Sequence, residues 1–169
     1  THSSLGKNKG IFLKRDGSLL PLPGGHGQCF ITLKEIFHQL YDEGIRFISI
    51  GNVDNTGYTH DPVSLAILAL SGKEAGFDFS FKTPVDTKGG ILIIDDRNRL
   101  NCADLGVAIN EDRVKEAESD GSSILFNCAT GLFNLEFLVE NIDEIISSLP
   151  MRFSDQDKDA GKYSQAEQV

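Results

Sequence analysis

Four short stretches of this 169-residue chain combine residue types that could do chemistry. They are GGHG at 24–27, NVDN at 52–55, KGG at 88–90 and FNCAT at 126–130. Asp54 is a hard oxygen ligand suited to Mg²⁺, which commonly takes one or two carboxylates together with phosphate oxygens and water. Asn52 and Asn55 place neutral donors and acceptors beside it. The same residues also make a good polar turn, because Asp and Asn favour turns through their own side-chain bonds. In GGHG, glycine permits positive φ and lets backbone approach a planar ring with no Cβ in the way. His26 reads either as a ligand contact or as a hydrogen-bonded turn histidine. No GxxxxGK[ST] or GxGxxG spacing is present. His60, beside Asp61, reads as a helix-start residue.

Composition narrows the classes. Hydrophobic residues make up 40% and charged residues 24% of the chain, ordinary for a globular domain. A net charge of -9 argues against binding nucleic acid or an anionic membrane surface, yet allows a phosphorylated small molecule. No apolar run reaches the roughly 20 residues that span a bilayer, and no signal-peptide pattern opens the chain; the reading is cytoplasmic. Cys29, Cys102 and Cys128 are odd in number and form no CxxC pair, which predicts free thiols. The polar first ten residues and the polar end suggest a piece of a longer protein: residues 1–149 as the central part of a domain, 150–169 as a polar connecting segment.

These residues need a frame. Ile11–Leu13 and Leu19–Leu20 read as a short hairpin turning at Asp16-Gly17. Thr32 with Glu35 has the capping-box pattern ahead of a helix whose Leu33, Ile36, Phe37 and Leu40 share one face and which stops at Gly44. Ile45–Ile50 reads as a central strand, delivering NVDN at its end. Asp61-Pro62 is an N-cap followed by proline at the first helical position, and the apolar helix over 63–70 is expected to be deeply buried. FDFSFKTP and GGILIIDD read as strands, 112–119 as a helix, SSILFNCA as a strand. Asn134 opens a last helix carrying Leu135, Leu138, Ile142, Ile145 and Ile146, ended by Pro150. Strands alternating with helices predict an α/β sheet, mostly parallel, with an antiparallel insertion around 77–104 and helices on both faces.

The order of the four stretches is more specific than any one of them. PGGHG, then GNVDN, then KTPVDTKGG, then LFN before a helix resembles the central catalytic region of the UTP–glucose-1-phosphate uridylyltransferases, whose segments run roughly as PPGHGD, N-x-DN, KT-x-x-D-x-KGG and FNTNN. The resemblance covers about residues 18–140. It implies a Rossmann-like nucleotidyltransferase sheet and transfer of uridylyl from UTP to a sugar 1-phosphate, with Mg²⁺ as cofactor. Asp54 then matches the metal-binding aspartate and Lys88 the lysine before the glycines, both catalytic. Gly25 and His26 match the turn against uracil, Asn52 the asparagine contacting the sugar, and Gly90 the backbone approach to the hexose. Asn127 lies in the sugar-binding strand end.

Two departures concern the sugar: Thr130 stands where the family has a second asparagine, and Asp104 where it has a longer glutamate. The family's N-terminal Gly-rich phosphate loop and the C-terminal part with a further lysine have no counterpart in these residues, so the chain alone is expected to be inactive. Glucose 1-phosphate is the expected acceptor. The alternatives are N-acetylglucosamine 1-phosphate, or a non-catalytic module binding a nucleotide sugar.

Overall fold

The computed structural model describes residues 4–5 and 10–169. In chain order the elements are β1 (Ser4–Leu5), α1 (Gln28–Thr32), α2 (Lys34–Asp42), β2 (Phe47–Gly51), α3 (Pro62–Ser71), β3 (Ala75–Phe81), β4 (Gly90–Ile94), β5 (Leu100–Asp104), α4 (Glu111–Ser119), β6 (Leu125–Asn134), α5 (Leu135–Ser148), β7 (Met151–Lys158) and β8 (Gly161–Gln168). They divide into two compact units. The first comprises Thr1–Arg46 and Leu135–Val169, the second Phe47–Asn134. Among the described residues no helix is long and apolar enough to cross a membrane.

In the first unit a three-stranded antiparallel sheet runs β1-β8-β7. The polar end of the chain, 150–169, therefore carries two full strands. Met151–Asp157 alternates exposed and half-buried positions, a strand period that polar composition hides. The amphipathic α5 buries Leu135, Leu138 and Ile142, and α2 packs on it through Phe37. Lys34 pairs with Asp143 at 2.6 Å, and Tyr41 Oη donates to Glu136 at 3.0 Å. The hairpin at Asp16-Gly17 is present as a bridge between Leu13 and Leu19. Gly44, at φ +94°, stops α2 as its position predicts. The capping box does not form. Thr32 Oγ1 donates back to the carbonyls of Gln28 and Cys29, closing the short α1, and α2 begins from Leu33 without a side-chain cap.

In the second unit a five-stranded sheet is built around β6. The order is β2-β6-β4-β5, with β3 on the other edge of β6. Every strand pair is antiparallel, which corrects the expectation of a mostly parallel sheet. The physical reason is strand order. β2 and β3 run in one direction, joined by the α3 crossover, and β4 runs the same way, but β6 runs the other way and lies between β3 and the other two. Parallel strands are thereby kept apart, and each direct neighbour is reversed. β4 and β5 form an antiparallel hairpin, but with every pair antiparallel the stretch around 77–104 is no insertion into a parallel sheet.

β2 is an edge strand among the described residues, not a central one, since it pairs with β6 alone. The cap of α3 is as expected: Asp61 accepts the N–H groups of Val63 and Ser64, with Pro62 following. Its burial is not. Leu68 is 5% exposed, but Val63, Leu65, Ile67 and Leu70 are open to solvent, Leu70 at 88%. One helical face packs over β3, at Gly76, and the sequence, apolar all round, could not show which. Ile91, Leu105 and Val114 form the buried cluster of the second unit, joined by Ile93, Ile109, Ile124 and Phe126.

Candidate functional site

Strand register assembles the site of the second unit. β2 occupies one edge of β6 over Asn134 to Thr130, and β4 occupies the same edge at Phe126. The C-terminal end of β2 and the N-terminal end of β4 therefore face each other along β6. NVDN leaves at this break and KGG enters there. On the opposite edge Phe77 pairs with Gly131 but Phe79 with Asn127, so Cys128, Ala129 and Thr130 bulge against the single Asp78. Bulges bend a strand and re-aim its side chains, and they gather near functional sites. Ala129, at the bulge, has φ +53°, a left-handed conformation unusual for alanine.

The bulge organises its surroundings through five hydrogen bonds. The Ala129 N–H donates to Asn127 Oδ1 at 2.9 Å, and the Ala129 carbonyl accepts from the Asn52 N–H at 3.3 Å. Asn55 Nδ2 donates to Thr130 Oγ1 at 3.1 Å and to the Cys128 carbonyl at 3.4 Å, and Thr130 Oγ1 donates to that carbonyl at 3.4 Å. Thr130 is 3% exposed. The turn itself is closed by the Asn55 N–H on the Asn52 carbonyl at 3.0 Å. Asp54 is exposed at its tip, and its carboxylate has no hydrogen-bond or ion-pair partner among the described residues.

The KTPVDTKGG stretch sorts its polar groups in a similar way. Lys82 pairs with Glu118 at 3.0 Å. Asp86 Oδ2 accepts both the N–H and the hydroxyl of Thr83, at 2.7 Å each, and these bonds hold its carboxyl below the usual 3.8. Lys88 is exposed and its ammonium has no partner among the described residues. Along β4, Ile91 faces the buried cluster, so alternation turns Gly90 to the other face. Asp104 opposes Gly90 and Cys102 opposes Leu92, which puts both on Gly90's face. Asn127 joins them, its Nδ2 donating to Cys102 Sγ at 3.6 Å. A Cβ on Gly90 would overlap Cys102 Sγ. Asp104 is half-buried, and its carbonyl accepts the N–H groups of Val107, Ala108 and Ile109.

Asn52, Asp54, Gly90, Asp104, Asn127 and Thr130 are thus brought to one break in one sheet, with Lys88 two residues ahead of β4. Sequence reasoning missed Cys102 and Ala129, and named Asn55 only as a neutral donor and acceptor beside Asp54. For Asn55 the pattern N-x-DN held the signal, but its bonding partner lies 75 residues on.

Gly25 and His26 belong to the first unit. His26 is exposed on a turn stitched to β8. The Gln168 N–H donates to the Gly24 carbonyl at 2.6 Å, the Gly27 N–H to the Gln168 carbonyl at 2.9 Å, and Gln165 Nε2 to the Pro23 carbonyl at 3.3 Å. Gly25 has φ +99°, and a Cβ there would overlap the backbone of Gln168. Gln165 and Gln168 are the residues that fix this turn, and its glycines alone gave no sign of them.

The three cysteines are free thiols, as their number predicts; partial burial pushes the Cys29 thiol above 9.0. Among the described residues no three His, Cys, Asp or Glu side chains gather around one point, so Asp54 stands as a single carboxylate.

The chain is 27% identical over 126 residues to a UTP–glucose-1-phosphate uridylyltransferase of Encephalitozoon cuniculi, covering 72% of this chain and 25% of that protein. It is 36% identical over 73 residues to UTP–glucose-1-phosphate uridylyltransferase 2 of Dictyostelium discoideum, covering 42% of this chain and 14% of that one. The fold is similar to the crystal structure of UDP-glucose phosphorylase from Trypanosoma brucei, with a TM-score of 0.72 at 22% identity. It is also similar to a UDP-glucose pyrophosphorylase variant from Leishmania major in complex with UDP-glucose, with a TM-score of 0.69 at 18% identity. Each superposition covers 94% of this chain and 39% of the solved one. The chain therefore spans well under half the length of these relatives. The sequence pattern described as UTP–glucose-1-phosphate uridylyltransferase matches residues 14–167, and the chain belongs to that family.

Proposed function

We propose that this chain is the central part of an enzyme that transfers uridylyl from UTP to a sugar 1-phosphate, glucose 1-phosphate in the first place, releasing pyrophosphate. The observation that supports the reading is the break in the sheet, where a carboxylate and an ammonium without partners among the described residues, together with a fixed asparagine, meet the family's sequence pattern. In the reaction an oxygen of the sugar phosphate bonds to the α-phosphorus of UTP as the bond to the pyrophosphate oxygen breaks. Positioning and charge neutralisation can supply most of the catalysis in such a transfer. No nucleophilic side chain is needed.

Each residue then has a role. Asp54 fits Mg²⁺, because its carboxylate is exposed and unclaimed, and one carboxylate with phosphate oxygens suffices for that ion. When bound, Mg²⁺ neutralises phosphate charge and orients the leaving group. Lys88 brings an ammonium toward the phosphates. Asn52, Asn127 and Asp104 offer polar groups to the sugar hydroxyls beside the bare Gly90. Thr130, buried and bonded to Asn55, supports them from behind. Gly25 and His26 are assigned to the uracil. The free thiols support a cytoplasmic setting.

The test is Asp54→Asn in the complete enzyme, with initial rates measured across a magnesium titration and a melting curve alongside. Asparagine keeps shape and turn preference while removing the charge. Activity should fall by orders of magnitude at an unchanged melting temperature. A rate near that of the parent at every magnesium concentration would end the assignment.

A further inference from the structure

We propose that Asn55 and Thr130 are positioning residues, a latch that holds the Asn52–Asn55 turn on the β6 bulge and so fixes Asp54 relative to Asn127. The proposal rests on the functional reading above for what the fixed residues do, but the latch is a property of this chain alone. Asp54 has no side-chain partner among the described residues, so the backbone of its turn decides where the carboxylate points. That backbone touches β6 through the Asn52 N–H on the Ala129 carbonyl and through the amide of Asn55. The same Ala129, through its N–H, sets Asn127. One bulge therefore carries the metal-side turn on one flank and the sugar-side asparagine on the other.

Thr130 is what makes the connection rigid. Its hydroxyl is buried, accepts from Asn55 Nδ2 and donates to the Cys128 carbonyl, so its one proton and one of its two lone pairs are used within the latch. A side chain committed in this way is not placed to read a substrate hydroxyl. Thr130→Val keeps the shape and removes both bonds, leaving a part-buried amide hydrogen of Asn55 without its partner, a change that costs more than the bond's net worth. Thr130→Ser keeps the hydroxyl.

The experiment has two arms. In the first, amide hydrogen exchange is measured on the 169-residue chain without ligand. Thr130→Val and Asn55→Ala should each speed exchange of the Asn52 and Asn55 amides by about tenfold, the loss expected for one such hydrogen bond. Ile48 and Phe133, at the far end of the β2–β6 pair, should be unaffected, and Thr130→Ser should match the parent. In the second arm, in the complete enzyme, Thr130→Val should raise the half-saturating magnesium concentration and the KM for the sugar phosphate together, with Thr130→Ser restoring both. Valine and serine behaving alike, or exchange rising equally throughout the sheet, would overturn the latch. If Asp54→Asn proves harmless while the exchange pattern holds, the latch stands and the functional reading fails. Exposed Asn55 provides the second variant should Thr130→Val not fold.

Discussion

The two glycine motifs, GGHG in one unit and KGG in the other, are kept bare for reasons that lie inside the chain, whereas the side chains of Asp54 and Lys88 in the second unit have no such reason among the described residues. Gly25 is bare because the backbone of Gln168 lies where its Cβ would be. Gly90 is bare because Cys102 Sγ lies there. Against these, the carboxylate of Asp54 and the ammonium of Lys88 make no hydrogen bond or ion pair among the described residues, although Lys82 and Asp86, their neighbours in composition, are both engaged. A motif residue with a packing duty explains its own presence. One without such a duty, at Asp54 and at Lys88, is where the proposed function puts its metal and its phosphates.

The contrast breaks if Lys88 turns out to be structural. Lys88→Met in the complete enzyme should lower the turnover rate by about 10²–10³, the scale for losing one group that stabilises developing charge, with no change in melting temperature. A stability loss without a rate loss would reverse the reading.

Gly25→Ala comes next, and its effect should fall on stability. Positive φ costs a side chain about 1–2 kcal/mol, and overpacking against backbone adds about 1–3 kcal/mol. Denaturant unfolding should register the sum. An alanine variant as stable as the parent would leave the turn's glycine open for a ring.

Gly90 sharpens the comparison further, because its two possible duties separate. Gly90→Ala should destabilise by about 1–3 kcal/mol through its clash with the thiol. Combining it with Cys102→Ala removes the sulfur, and the next neighbour, Asn127 Cβ, lies at an ordinary 3.7 Å. The double variant should regain the melting temperature but not the activity if the hexose also needs that space. Recovery of both would reduce Gly90 to packing alone.

The smallest effect is with pH. Hydrogen bonds from Ser64, Thr83 and Arg99 hold the carboxyls of Asp61, Asp86 and Asp95 below their ordinary 3.8. A folded value below the unfolded one means that the unfolded chain binds more protons in this range. The stability these groups give is complete above the ordinary value and is lost as pH falls through the lowered values. Melting temperature should therefore be flat from neutrality down to about pH 5 and fall below pH 4. Asp61→Asn, which still caps α3, should soften that fall.

What could be read from the sequence was local. Asp16-Gly17, Gly44 and Asp61-Pro62 each mark a boundary through the backbone preference of one or two residues, and each boundary is where expected. The site was legible as an ordered series of short motifs. Sheet direction was not, because it depends on β6 settling between β2 and β3, a choice made by contacts some forty to ninety residues apart. The partners of Thr130 and of Gly25 were hidden for the same reason. Thr32 shows the opposite failure: a local pattern for capping was overridden when Thr32 closed a separate short helix begun at Gln28.

The placement of β6 also sets the order in which the second unit can be made. β2 and β3 have no other strand partner among the described residues, and β6 follows the end of β2 by more than seventy residues of synthesis. At roughly 5–20 residues per second, a ribosome leaves β2 waiting for several seconds before its partner emerges. Through that interval an apolar strand with both edges unsatisfied is exposed to whatever else is nearby. Production of this chain should accordingly respond to chaperone supply and to translation speed upstream of Leu125 more than to changes in the helices, which can form as they appear.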